Sequence, residues 1–241
     1  MASVHIGCSG FTYPHWSGTF YPDSLPQRRW FEYYCTIFRT VELNVTFYRL
    51  PLEKTFARWR DESPPDFSFS LKGSRFITHI KRLIDAEEPL ERFFGRALAL
   101  GDKLKVVLWQ FPPSFGPSPE RLERFLTLLD RYPARHTFEF RHEGWINDGI
   151  YALCREHNDS LCRADWPAFL HDLPATADFV YIRRHGKGGN YASTYSRDDL
   201  LRDAVTMKTA LREGKDVFIY FNNDAFGYAP ENARELMELM Q

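Results

Sequence analysis

The sequence predicts a single-domain (β/α)8 barrel of the TIM type over residues 1–241, on three observations. Strand-like and helical segments alternate almost without exception, which is the mark of a parallel sheet. Each of eight strand-like segments ends on a polar residue at the position that period-two patterning turns inward: Ser9, Asn44, Lys72, Gln110, Arg141, Asp165, Arg183 and Asn222. The segments following strands are long (10–27, 73–85, 185–196), whereas those returning from helix to strand are short (101–104, 132–135, 213–215). Barrels carry their chemistry on the long-loop, C-terminal face, so the polar ring and the long loops agree on where function lies. An open doubly wound sheet has the same alternation, and the loop asymmetry favours the barrel over it.

The first strand, VHIGCS at 4–9, leads into a long loop and a helix at 28–37. The second turns Glu42 and Asn44 inward and precedes a helix at 52–60. The third sets Phe67, Phe69 and Leu71 on one face and Ser68, Ser70 and Lys72 on the other, and a helix at 88–100 follows. The fourth ends near Gln110 before a helix at 119–131, and the fifth pairs Glu139 with Arg141 before a helix at 148–157. The sixth pairs Arg163 with Asp165 on the inner face, with only a short helical turn near 167–171 behind it. The seventh pairs Tyr181 with Arg183 and the eighth Tyr220 with Asn222, with helices at 198–213 and 230–240.

A hydrophobic fraction of 44% over 241 residues is enough to bury a sizeable core, and no low-complexity linker divides the chain. The opening residues run straight into the first strand, leaving no basic and apolar leader, and no apolar run nears the ~20 residues a membrane span needs; a cytoplasmic protein is expected. Cys8, Cys35, Cys154 and Cys162 lack CxxC spacing and read as buried, reduced thiols. A net charge of -1 argues against a generally basic nucleic-acid-binding surface. The expected site face is nonetheless cationic, because Arg75, His79, Lys81, Arg82, Arg184, His185 and Lys187 lie in its loops. Such a face attracts a small anion or a phosphate backbone.

Inward carboxylates in a barrel must be paired or protonated, since burying them alone is costly. Glu42 and Glu139 therefore read either as acid–base groups or as partners of Arg141, Arg163 or Arg183. Lys72 can bind an anion as a point charge or, if desolvated, form a Schiff base; neighbouring Arg75 and His79 favour electrostatic capture. His79 can transfer protons near neutral pH or simply hydrogen-bond in its loop. Glycines 186, 188 and 189 would let backbone N–H groups approach an anion held by Lys72, Arg141 and Arg183. The turn GCSGFTY at 7–13 lacks complete phosphate-loop spacing and reads as a tight turn beneath Trp16, Phe20 and Tyr21 or, alternatively, as part of a ligand-stacking wall. No HExxH-like spacing fixes a metal, and no cofactor is assigned.

These residues resemble a known family. GCSGF through WSGTFYP at 7–22, ELNVTFYRLP at 42–51, LWQFPPSF at 108–115, EFRHEGW at 139–145 and YFNND at 220–224 with Ala229 and Asn232 are similar to the blocks of the domain of unknown function 72, or YecE-like, family. The resemblance runs nearly end to end and implies a TIM-type barrel with a pocket at its C-terminal face, but supplies no reaction. Its matching polar positions are Glu42, Asn44, Lys72, His79, Gln110, Glu139, Arg141, His142, Asn222 and Asn223.

The leading expectation is an enzyme, a hydrolase, lyase or isomerase, acting on a small phosphorylated or carboxylated substrate. Glu42, Lys72, His79 and Glu139 are its candidate catalytic residues, and Ser9, Asn44, Gln110, Arg141, Asp165, Arg183, His185, Asn222 and Asn223 its candidate substrate contacts. The alternatives are a nucleic-acid-binding or nucleic-acid-processing protein, using the rim Arg75, Lys81, Arg82, Arg184 and Lys187 with Trp16, Tyr48 and Tyr191 as stacking partners, and a noncatalytic metabolite sensor. The sequence is silent on oligomeric state.

Overall fold

In the computed structural model, which describes residues 2–241, eight parallel strands close into one barrel in chain order. The strands are β1 (Val4–Ser9), β2 (Thr40–Leu43), β3 (Ser68–Lys72), β4 (Leu104–Phe111), β5 (Arg135–Phe140), β6 (Ser160–Ala164), β7 (Phe179–Arg184) and β8 (Asp216–Phe221). The expected (β/α)8 architecture is present. Helices α1 (Trp30–Ile37), α2 (Val45–Tyr48), α3 (Glu53–Glu62), α4 (Glu87–Ala97), α5 (Pro119–Leu129), α6 (Asp148–Glu156), α7 (Arg197–Arg212) and α8 (Tyr228–Leu239) surround it. They bury their apolar stripes, such as Leu122, Phe125, Leu126 and Leu129 of α5, against the outward faces of the strands.

Register places the inner face without ambiguity. Ser9 pairs with Glu42, Glu42 with Ser70, Lys72 with Leu108, Gln110 with Glu139, and Ala164 with Arg183, so these side chains share one surface. Val106, Leu108, Cys162, Phe179, Tyr181, Phe218 and Tyr220 form a second, separate apolar cluster within the barrel. Its middle is not purely aliphatic: the Tyr220 hydroxyl is 2.7 Å from Thr40 Oγ1 and 2.9 Å from Ser70 Oγ. These exchange hydrogen bonds within the barrel, as buried hydroxyls must.

One strand departs from expectation. Inward residues of β6 are Ser160, Cys162 and Ala164, not Arg163 and Asp165. Arg163 points outward and donates through Nε to Leu173 O at 2.9 Å. The physical reason lies in the crossover. Behind β6 stands only a 3-10 turn, Ala168–Leu170, so the outer face of this strand is not covered by an α-helix and tolerates a half-buried arginine. A cavity of about 630 Å³ occupies that place, lined by Arg163, Arg184, Asp203 and other polar groups.

Candidate functional site

At the C-terminal mouth the barrel interior becomes a charge network. Arg183, on β7 and fully buried, reaches across the barrel: Nη2 and Nε donate to Glu42 Oε1 at 2.8 and 3.2 Å, and Nη1 donates to Glu139 Oε2 at 2.7 Å. Glu42 takes a further hydrogen bond from the Tyr181 hydroxyl at 2.6 Å, and Glu139 one from Arg141 Nε at 2.6 Å. Both carboxylates are wholly shielded from solvent. Burial opposes ionisation of Glu139, but Arg141 and Arg183 outweigh it and hold this carboxyl far below the usual range. Glu139 is thus an ionised anchor at neutral pH, not a proton donor.

His185 is buried beside this network. Its Nε2 lies 3.1 Å from Arg141 Nη2 and 3.5 Å from both Arg183 Nη1 and Glu139 Oε1; the two guanidiniums can only donate, which favours the tautomer with Nε2 accepting. Burial, and then the charge of Arg183, lower this imidazole to about 3, which keeps it neutral. Nδ1 has no partner among the described residues, and the same holds for Ser9 Oγ and Asn44 Oδ1. Gln110, 5% exposed, donates only to Phe111 O at 3.3 Å, and Asn222 lies partly exposed at the same rim with its backbone N–H held by Arg184 O.

Two cations at the mouth are less committed than Arg183. Arg141 retains some exposure; its guanidinium stacks 5.1 Å from the Trp166 ring, and Nη1 donates to nothing among the described residues. Lys72, the last residue of β3, has its Nζ 4.2 Å from the centroid of Phe47 on α2, and no carboxylate among the described residues comes within 4.0 Å of it. Burial, reinforced by the positive charge of Arg183, pushes its amine down to about 7. His79 packs edge-on against the same Phe47, with ring centroids 4.9 Å apart, and burial followed by the charge of Lys72 lowers it to about 4. It is carried on a single π turn, Phe76–Ile80, of a kind frequent at functional sites.

The structure thus gathers Glu42, Lys72, Glu139, Arg141, Arg183 and His185 around one mouth, with Ser9, Asn44, Gln110 and Asn222 on its rim and His79 packed on Phe47. It does not bring Asp165 or Asn223 there. Asp165 lies outside the ring, where Oδ1 accepts from the His185 N–H at 2.8 Å and Oδ2 from the Tyr195 hydroxyl. Asn223, fully buried, donates to Ser193 O at 2.9 Å and Asn232 Oδ1 at 3.0 Å, pinning the loop before α7.

That loop differs from expectation at two of its three glycines, 186 and 189. Backbone N–H groups of Gly186, Lys187, Gly189 and Tyr191 donate to Tyr195 Oη, Ser193 Oγ, Gly186 O and His185 O, and so are already used internally. Gly189 has its own reason: with φ at +69°, a Cβ there would stand 2.4 Å from the Trp166 indole, so glycine is what lets the loop pack on the ring that backs Arg141.

Three of the five cations expected on the basic rim have carboxylate partners, and Arg75 and Arg82 have none among the described residues. Arg184 is buried and paired bidentately with Asp203, Lys81 meets Asp85 at 3.4 Å, and Lys187 meets Asp199 at 3.4 Å. Trp16 is fully buried with Nε1 donating to Asp224 O at 2.8 Å, and Phe20 and Tyr21 are buried with it, so this aromatic group is packing. Trp166 and Phe47 are the site aromatics that sequence reasoning missed; Trp166 follows the polar end of β6 by a single position, and Phe47 stands within the block that carries Glu42 and Asn44. Beside the mouth, not in it, runs a groove of about 1050 Å³ walled by Phe11, Leu50, Trp59 and Phe93. It shares Asn44 with the mouth but none of its charged residues. Among the described residues no three His, Cys, Asp or Glu side chains are grouped to hold a metal, and no helix is long and apolar enough to cross a membrane.

The family profile described as "Protein of unknown function DUF72" matches residues 5–241. The chain belongs to the DUF72 family. Among its relatives, the UPF0759 protein YunF of Bacillus subtilis is 24% identical over 98% of this chain and 94% of its own length. UPF0759 protein YecE of Escherichia coli K12 is 27% identical over 61% of this chain, a stretch spanning 51% of that protein. A crystal structure of a DUF72 protein from Thermotoga maritima, TM1631, superposes with a TM-score of 0.87 at 31% identity, covering 99% of both chains. The Enterococcus faecalis DUF72 protein EF0366 superposes at 0.82 with 19% identity over 98% of this chain and 95% of its own, a likeness of fold.

Proposed function

We propose that this DUF72 protein is an enzyme acting on a small anion, phosphorylated or carboxylated, bound at the C-terminal mouth of the barrel. One observation carries the reading: three cations, Lys72, Arg141 and Arg183, meet only two carboxylates, and both carboxylates are engaged by Arg183. The mouth therefore has a positive surplus whenever Lys72 is protonated, and Arg141 keeps an unused donor, Nη1, in either state of that lysine. Charge-assisted hydrogen bonds from a guanidinium with an unused face favour a planar or tetrahedral oxyanion. Within this reading Arg183, Glu42 and Glu139 are the frame, Arg141 and Lys72 meet the substrate, and Ser9, Asn44, Gln110 and Asn222 supply neutral contacts around it. A nucleic-acid surface is less well supported, because Arg184, Lys81 and Lys187 have carboxylate partners and Trp16 is buried.

Titration calorimetry with inorganic phosphate, glycerol phosphate and small dicarboxylates, on wild type, Lys72→Met and Arg141→Met, tests the proposal. Binding in wild type that weakens at least tenfold in both variants is expected. No heat with any of these anions, or equal affinity in all three proteins, overturns it.

A further inference from the structure

We infer that Lys72 is a covalent catalyst, forming an imine with a small aldehyde or ketone whose phosphate or carboxylate is held by Arg141. This deepens the reading above and rests on it. The ground is the placement of the amine. A lysine that serves only as a fixed charge is best served by a carboxylate that keeps it protonated, and the two carboxylates of the mouth are instead turned to Arg183 and Arg141. Lys72 ends a strand in the mouth with a phenyl ring at 4.2 Å and neither an ion pair nor a hydrogen-bond partner among the described residues. It is partly exposed, so a ligand in the mouth can reach it.

The ring of Phe47 favours the ammonium form modestly. Burial and Arg183 oppose it and win, bringing the amine to about 7, where about half is unprotonated at neutral pH against under 0.1% of an ordinary lysine. The amine nitrogen then adds to the carbonyl carbon and its proton passes to the carbonyl oxygen, giving a carbinolamine. Loss of that hydroxyl with a second proton releases water and leaves the C=N bond, and water addition reverses the sequence. Protonated, the imine withdraws electrons from a bond on the adjacent carbon, which is the step that lyases and isomerases of this type share.

Trapping tests it on the wild-type protein. Formaldehyde and glyoxylate, each with cyanoborohydride at pH 7, convert imines to stable amines, and peptide mass mapping compares the eight lysines. Lys72 is expected to be modified at least tenfold faster than any other lysine by both probes, with the glyoxylate reaction slowed by phosphate and by Arg141→Met. Lys72 reacting no faster than Lys208 with either probe overturns the imine, and does so even if calorimetry shows anion binding. Fast trapping by formaldehyde with no preference for glyoxylate and no protection by phosphate keeps the amine but removes the anion site on which the substrate class depends.

Discussion

Removing Arg183 should be among the most damaging single changes available to this fold, and the structure sets the size. Its guanidinium makes three charge-assisted hydrogen bonds to two carboxylates that have no solvent exposure. In Arg183→Met, Glu139 retains Arg141 at 2.6 Å, but Glu42 is left with the Tyr181 hydroxyl alone. Stranding one buried charge by deleting its partner costs about 3–5 kcal/mol. For a domain of this size that corresponds to a fall in Tm of roughly 10 °C. The assay is urea unfolding followed by tryptophan fluorescence, with Glu42→Gln as the companion. If the loss comes from the stranded carboxylate, then Arg183→Met/Glu42→Gln should recover at least about half of it, because a neutral amide can stay buried with the Tyr181 hydroxyl at lower cost. A loss under about 1 kcal/mol, the size of an exposed ion pair, or a double variant no more stable than Arg183→Met, refutes the reasoning.

Three other outcomes follow from the same geometry. Gly189→Ala should cost more stability than Gly188→Ala: both have positive φ, which alone costs about 1–2 kcal/mol, but only at 189 does the new Cβ collide with Trp166; equal losses by thermal melting would remove the packing role. All four thiols should resist a disulfide reagent in the native protein and react on unfolding, because burial raises every one of them, Cys35 to about 12 and the others further; one thiol reacting rapidly in the native state would contradict this. Stability should fall as pH drops through 6.5. His136 and His185 are depressed by burial to about 3 in the folded chain, so the unfolded chain takes up their protons first, and each adds about 1.4 kcal/mol per pH unit to the slope. A flat profile from pH 7 to 5 would show that these imidazoles charge in place.

The fold was legible because period-two alternation survives in seven of the eight strands, where a polar inner residue stands between apolar outer ones that helices cover. Polar residues at strand ends then located the mouth. What the pattern lacked was any signal for which cation pairs with which acid, since that depends on reach across the barrel between β2, β5 and β7, and residues 42 and 183 are 141 apart in sequence. The β6 register failed for a local reason. Its inner residues are Ser160, Cys162 and Ala164, small enough to look like an outer face, while Arg163 can be polar because only the short turn expected near 167–171, a 3-10 turn at Ala168–Leu170, stands behind it. Phe47 and Trp166 were missed because an aromatic just past a strand end has the same appearance in sequence whether it covers the core or backs a cation.

Strand β7 shows how such charges can be used. Consecutive residues Arg183 and Arg184 point to opposite faces, one into the barrel toward Glu42 and Glu139, the other outward to Asp203 on α7. Neither set is a cheap source of stability, because desolvating charges offsets most of what their attraction returns. Their effect is on register. A slip of β7 by one residue would turn Arg183 toward α7 and Arg184 into the barrel, removing the partner of Glu42 and displacing the Asp203 pair together, whereas apolar residues on both faces would be indifferent to the slip. The charges of β7 therefore fix the strand that carries them, and on the proposed reading of the mouth this predicts that Asp203→Asn, remote from the mouth, lowers stability by about 1–3 kcal/mol while leaving anion affinity at Arg141 and Lys72 within twofold. A tenfold loss of affinity in that variant, with the protein still folded by circular dichroism, would mean that the outer pair acts on the site through β7 and not on the frame alone.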